Sequence, residues 1–262
     1  MHEIADIACN FTSDRFDNDL DEVINQAIVN NITKFGLICS RLSDIEKLLE
    51  IYNRYSKDMF FTIGVHPHHA NEINEEYLKK LKEVINNNNP HAIGETGLDF
   101  FRNLSTYEEQ IYAFEEQIKI AIDTNKPLFL HQRDSHDDFI KILRKYSSDI
   151  NKSVVHCFTG TKEQLNDYLE LDCYIGVTGW ICDAKRNVEL RKTIKNIPLE
   201  RLMIETDCPY LIPKNLEEKP KNNRNEPTYL NHIANEVATL MKKDINDIRE
   251  KTYKTSLSFF QK

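Results

Sequence analysis

Short, almost wholly apolar runs alternate along this chain with stretches whose apolar residues recur every three or four positions. The runs are Glu3–Ala8, Phe35–Ser40, Phe60–His66, Ala92–Asp99, Leu128–His131, Ser153–Phe158, Tyr174–Gly179 and Leu202–Asp207. Each reads as a strand covered on both faces, since a strand open to water on one side would alternate polar with apolar. Between them, Leu20, Val23, Ile24, Ala27 and Ile28 form one helical stripe, and Ile45, Leu48, Leu49 and Tyr52 a second. The longest stripe is Tyr107, Ile111, Phe114, Ile118, Ala121 and Ile122. Ser43…Glu46, Ser105…Glu108 and Thr161…Gln164 have the spacing of capping boxes, which predicts helix starts there. A late helix carries Leu230, Ile233, Ala234, Val237 and Leu240 after Pro227, and Ile245 to Phe260 predicts a last one.

Eight strand–helix repeats predict parallel βαβ units. Over 262 residues the spacing is roughly 33 per unit, which favours a closed (β/α)8 barrel over an open sheet. No Pro-, Gly- or Ser-rich linker divides the chain, so a single barrel domain over residues 1–262 is expected. The longest irregular stretch, Cys208 to Pro227, follows the last strand, and connections of that length tend to carry function.

In parallel α/β folds ligands lie at the carboxyl ends of strands. Toward those ends stand Asp6, His66, Glu95, His131, His156 and Asp207, with Gly179 and Trp180 after the seventh run. One such residue is ordinarily a cap or a loop anchor. Six in one chain are not six accidents, because an ionisable group at the end of a buried run is costly unless paired or bound to a metal. Of the 7 glycines, Gly64, Gly94, Gly97, Gly160, Gly176 and Gly179 lie within or just past the same ends, where they serve close approach or a turn. Glu95, His131, His156 and Asp207 offer two imidazoles and two carboxylates, a donor set suited to Mg2+, Mn2+ or Zn2+ without choosing among them. Asp207 is the candidate general base, with Glu205 as its neighbour on the same strand face. His66, Arg133 and Arg224 are the candidate substrate contacts, and Arg102 shares their rim. Planar guanidinium groups near a metal suit an oxyanion such as phosphate. Tyr210 and Trp180 can stack a base or sugar. His68, His69 and His136 are expected to face solvent, and Cys157 has the wrong strand parity for a nucleophile.

Charge and composition narrow the field. The formal net charge is −8, from 34 Lys+Arg against 42 Asp+Glu. That excludes a broad basic coat for nucleic acid, though not a local grip by a metal and a few arginines. The six cysteines show no C-x-x-C spacing, which removes zinc-ribbon and thioredoxin-like readings and fits reduced thiols in the cytoplasm. The amino terminus shows no secretory signal, and no run is long and apolar enough for a membrane span.

The sequence resembles the TatD-related DNases, a family of metal-dependent (β/α)8 hydrolases. The resemblance is carried, in order over nearly the whole chain, by Gly-Val-His-Pro-His (64–68), Ala-Ile-Gly-Glu-Thr-Gly-Leu-Asp-Phe (92–100), His-Gln-Arg-Asp (131–134), His-Cys-Phe-Thr-Gly (156–160), Ile-Gly-Val-Thr-Gly-Trp (175–180), Ile-Glu-Thr-Asp-Cys-Pro-Tyr-Leu (204–211) and Arg-Asn-Glu-Pro (224–227). It implies magnesium-dependent phosphodiester hydrolysis from the 3′ end of single-stranded DNA or RNA, by a monomer acting in DNA repair or turnover. It also implies metal ligation by Glu95, His131 and His156, with Asp207 as fourth ligand or base. One departure stands out. Many relatives open with Asp-x-His-x-His, whereas this chain reads Asp6-Ile7-Ala8-Cys9-Asn10, which implies a more open site for a hard ion. Two other readings differ in class. A small-molecule amidohydrolase on the same scaffold would bind Zn2+ tightly and ignore oligonucleotides, and a decayed, non-catalytic barrel would turn over nothing with any divalent metal.

Overall fold

A computed structural model describes residues 2–261. Eight strands, β1 (Ile4–Cys9), β2 (Ile32–Leu37), β3 (Met59–Ile63), β4 (Ala92–Asp99), β5 (Leu128–Arg133), β6 (Ser153–Val155), β7 (Tyr174–Val177) and β8 (Leu202–Ile204), pair in sequence order, all parallel. The ring closes between its first and last strands. Cys9 and Cys208 form a parallel bridge, Asn10 N donates to Cys208 O at 2.8 Å, and Asp207 N donates to Ala8 O at 3.0 Å. The same seam is tied by Asp6, whose two carboxylate oxygens accept from Thr206 N at 2.8 Å and from Thr206 Oγ1 at 2.5 Å. Helices α1 (Leu20–Val29), α2 (Ile45–Arg54), α3 (Glu75–Asn88), α4 (Tyr107–Thr124), α5 (His136–Tyr146), α6 (Lys162–Glu170) and α7 (Val188–Thr193) follow the first seven strands, and α8 (Leu230–Met241) and α9 (Ile245–Phe260) follow the eighth. The closed (β/α)8 barrel is thus the observed fold.

Alternation along the strands sorts the interior into floor and mouth. Ala92, Phe129, Val154 and Met203 cluster inside with Phe259 and Phe260, while Ile93, Leu128, Leu130, Val155, Leu202 and Ile204 pack outward under the helices. Two residues beyond the inner Phe129, Val154 and Met203 come His131, His156 and Glu205, so the parity that fills the floor with carbon points ionisable groups into the mouth. The floor is sealed by the end of α9. Phe260 stacks on Phe60 with ring centroids 4.7 Å apart, and Phe259 meets Tyr174 at 5.3 Å. Full burial of each phenyl ring stabilises the fold by about 1.5–3 kcal/mol.

Several local expectations shift. The second strand lies at Ile32–Leu37, earlier than the run beginning at Phe35, because its paired part starts opposite Ile4. Ser105…Glu108 is one residue out of register: Thr106 caps α4, accepting from Glu109 N, while Glu109 accepts from Thr106 N. Ser43 does not cap α2, which grows instead out of a 3-10 turn at Leu42–Asp44. The box at Thr161 and Gln164 is formed as spelled. Among the described residues no helix is long and apolar enough to cross a membrane, and all six cysteines are free thiols.

Candidate metal centre

The mouth opens into a cleft of about 1560 Å3, lined among others by Glu95, His66, His131, His156, Asp207 and Arg133. Glu95 is placed by an irregularity in β4. The register with β5 slips between Ile93 and Thr96, resumes at Thr96 opposite Leu130 and continues with Gly97 opposite His131, so Glu95 sits where the ladder is interrupted. Gly97 is required there: its φ is +146° and a Cβ would lie 1.9 Å from His131 O. Gly176 does the same for the far wall, where a Cβ would come within 2.8 Å of Glu205 Oε1.

Three imidazoles converge on one carboxylate oxygen. Glu95 Oε1 lies 2.7 Å from His156 Nε2, 2.8 Å from His131 Nδ1 and 3.3 Å from His66 Nε2. The partners behind each ring separate the three. His131 turns its other nitrogen to Asp99 Oδ2 at 3.3 Å, and His156 Nδ1 lies 3.5 Å from Glu205 Oε1. A carboxylate behind an imidazole keeps a proton on the far nitrogen and leaves the near one as a lone-pair donor. His66 is the reverse, because its Nδ1 accepts the His68 N–H at 3.1 Å. Burial lowers the His66 pKa to about 4, so the ring is neutral and its single proton sits on Nε2. His131 and His156 therefore fit as ligands, whereas His66 fits as a hydrogen-bond donor, although its position alone would place it in a ligand triad with Glu95 and His131.

The electrostatics suit a cation. Burial opposes ionisation of Glu95, yet His156, His66 and His131 hold its carboxyl well below the usual range. Burial likewise disfavours charge on His131 and His156, but Asp99 and Glu95 for the first, and Glu95 and Glu205 for the second, raise both. A divalent ion would take the place of those two protons without disturbing the local charge balance. Glu205 Oε2 is buried without a hydrogen-bond partner, and His156 Nδ1 has only the long 3.5 Å contact to Glu205 Oε1, the mark of a polar pocket that is incomplete on its own.

Asp207 lines the same cleft, within electrostatic reach of His156 and Glu95. It adopts a left-handed backbone (φ 57°), and its Oδ1 accepts from Asn10 Nδ2 at 2.9 Å. Burial lifts its pKa to about 7, against the pull of His156. Glu205 is not its partner. It turns the other way, accepting from Cys157 N at 2.5 Å beneath His156. Burial raises the Cys157 thiol to about 12, so it stays protonated.

Arg133 lines the cleft and Arg224 does not. The Arg224 guanidinium is 4.9 Å over the Phe16 ring, and its five N–H groups are committed to Asp19, Glu226 and the Arg15 carbonyl. In this structure it fastens the long loop to the first βα connection, with its donors engaged away from the cleft. The expectation for His68 and His136 is corrected. His68 Nε2 lies 2.8 Å from Asp99 Oδ2, and His136 is held between Tyr168 and Asp167 at 2.9 Å each. Sequence reasoning missed Asp99 and Asn10 as contributors. Asp99 was within reach, being four residues after Glu95 on the strand face that Gly97 shares. Asn10 is assigned only by ring closure, which carries the residue after β1 to Asp207.

A closed parallel barrel with a carboxylate ringed by imidazoles at its carboxyl-end mouth defines a barrel enzyme of the metal-assisted kind. Residues 5–261 match the family described as TatD related DNase, and the chain belongs to that family. It is 39% identical over 258 residues, 98% of this chain and 99% of the relative, to the 3′-5′ ssDNA/RNA exonuclease TatD of Edwardsiella piscicida. It is 42% identical over 235 residues, 90% of each chain, to the protein of the same name from Erwinia billingiae. A hydrolase TatD family protein from Entamoeba histolytica superposes with a TM-score of 0.89 at 32% identity, covering 99% of this chain and 98% of that one.

Proposed function

We propose that this protein is a metal-dependent exonuclease that removes nucleotides from the 3′ end of single-stranded DNA, and of RNA, acting as a monomer in the cytoplasm. The observation that carries the reading is the convergence of His131 Nδ1 and His156 Nε2 on Glu95 Oε1, each ring backed by its own carboxylate. Glu95, His131 and His156 would hold one divalent cation, Mg2+ by the hardness of the open site, with Asp207 as fourth ligand or base. When bound, the cation supplies charge stabilisation at a phosphate oxygen and makes water more acidic.

The side chains divide the remaining work. Asn10 fixes Asp207 through Oδ1, and a carboxyl lifted toward neutrality by burial accepts the proton of an attacking water. His66 Nε2–H and the Arg133 guanidinium donate to phosphate oxygens, where negative charge grows as the leaving 3′ oxygen departs. Among the described residues Arg133 has no carboxylate within ion-pair distance, which leaves its charge for an anion. With a net charge of −8 only this local patch attracts the strand, so binding should be weak and salt-sensitive.

The test is product analysis on matched single strands of DNA and RNA labelled at the 5′ end. With Mg2+ the label should move through a ladder shortened one nucleotide at a time, and Asp207→Asn should slow it by about 10²–10⁴-fold. Internal cuts, or no cutting with any divalent metal, would overturn the reading.

A further inference from the structure

Phe101 (56% exposed), Leu104 (63%) and Tyr210 (53%) leave large apolar surfaces in water, and all three line the cleft. The exposure of Phe101 is not a failure of the loop to bury its rings. Its neighbour Phe100, at the same cleft, packs partly against the core and meets Tyr107 with centroids 5.3 Å apart. Nor is Phe101 loosely held. Its backbone N–H and that of Arg102 both donate to Asp99 Oδ1, at 3.1 and 2.7 Å, and Phe100 N donates to Arg133 O at 3.0 Å. The Arg133 guanidinium carbon lies 3.9 Å from the Phe101 ring centroid. Arg133 comes two residues after His131 on β5 and pairs in register with Asp99. Asp99 therefore holds this phenyl–guanidinium stack with one oxygen while its other oxygen touches His131.

An exposed phenyl ring with an unpaired guanidinium over one face and its other face left for a base, at the lip of a phosphate-directed cleft, complements a nucleotide: a flat base next to an anion. We propose that the Phe101–Arg133 stack receives the 3′-terminal base of a single strand, the ring stacking on the base while the guanidinium faces the adjoining phosphate. The assignment rests on the nuclease reading above and adds its base-binding subsite. It also gives that reading a source of strand selectivity. The terminal base of a single strand is free to turn onto the ring, whereas in a duplex the same movement costs its base pair as well as its stacking.

The experiment compares two oligonucleotides with Mg2+, one ending in an ordinary nucleotide and one ending in an abasic residue. A third strand carries 2-aminopurine at its 3′ end and phosphorothioate linkages that resist cleavage, so that stacking is read as fluorescence quenching. Phe101→Ala should raise KM about ten-fold on the base-bearing strand, leave the abasic strand unchanged and abolish the quenching. Phe101→Trp should restore both, and Tyr112→Ala, an exposed tyrosine away from the cleft, should alter neither. A folded Phe101→Ala protein with wild-type KM and full quenching, on strands the wild type degrades, overturns this proposal alone. If the wild type degrades neither cleavable strand, the nuclease reading falls and the subsite with it.

Discussion

Asp99 Oδ2 lies 3.3 Å from Nε2 of His131, on the ring edge opposite the nitrogen that meets Glu95. Burial disfavours a charged Asp99, but the bonds from His131 and His68 hold its carboxyl far below the usual range, so it is a fixed anion behind the imidazole. An outer partner of this kind sets the ring's tautomer and tilt. Asp99→Ala should lower metal affinity by about 10–100-fold, measured by Mn2+ titration. Unchanged affinity would mean that His131 is oriented by packing alone.

The hydrogen bond from His68 N to His66 Nδ1 makes a sharper distinction. If His66 is a donor and not a ligand, His66→Ala should keep Mn2+ affinity within about 3-fold while turnover falls about 10²-fold, the scale of a lost charge-stabilising donor. His131→Ala should lose the metal. Equal losses of affinity in the two variants would move His66 into the ligand set.

Asp6 gives the fold a pH dependence distinct from that of the site. Burial lifts its carboxyl to about 7, outweighing its bonds from Thr206. The unfolded chain has a carboxyl near 3.9, so the native state binds the proton more tightly. The associated stability is fully present below about pH 4 and is lost as pH rises through about 7. Asp6→Asn, whose amide can still pair with Thr206 Oγ1, should flatten urea-unfolding free energy over that window by a few kcal/mol. The same slope in both proteins would contradict the assignment.

Arg224→Ala should separate stability from function. Removing the arginine leaves Asp19 and Glu226 without their shared cation and frees the Arg15 carbonyl. A loss of about 1–3 kcal/mol in unfolding free energy is expected, with KM for single strands unchanged. A raised KM in a protein of unchanged stability would restore the substrate role.

The architecture was legible because strands covered on both faces spell themselves as apolar runs, and the last polar residue of each run marks the mouth. That logic places Glu95, His131, His156 and Asp207 on one cleft. It does not reach the ion pairs of Arg224, because nothing in the local pattern reveals that Asp19, some two hundred residues earlier, waits across the ring seam. It fails for Glu205, since strand parity assigns a face but not which neighbour on that face is reached. Asn10 and the His66 tautomer were out of reach for a related reason: both depend on contacts between segments that only the closed ring brings together.

The account stands on Glu95, and direct metal binding tests it most plainly. Mn2+ titration followed by electron paramagnetic resonance should show a bound ion in the wild-type protein. In Glu95→Gln the affinity should fall further than the ~10–100-fold given by losing an outer partner such as Asp99. A folded Glu95→Gln protein that binds Mn2+ as tightly as the wild type would contradict the account.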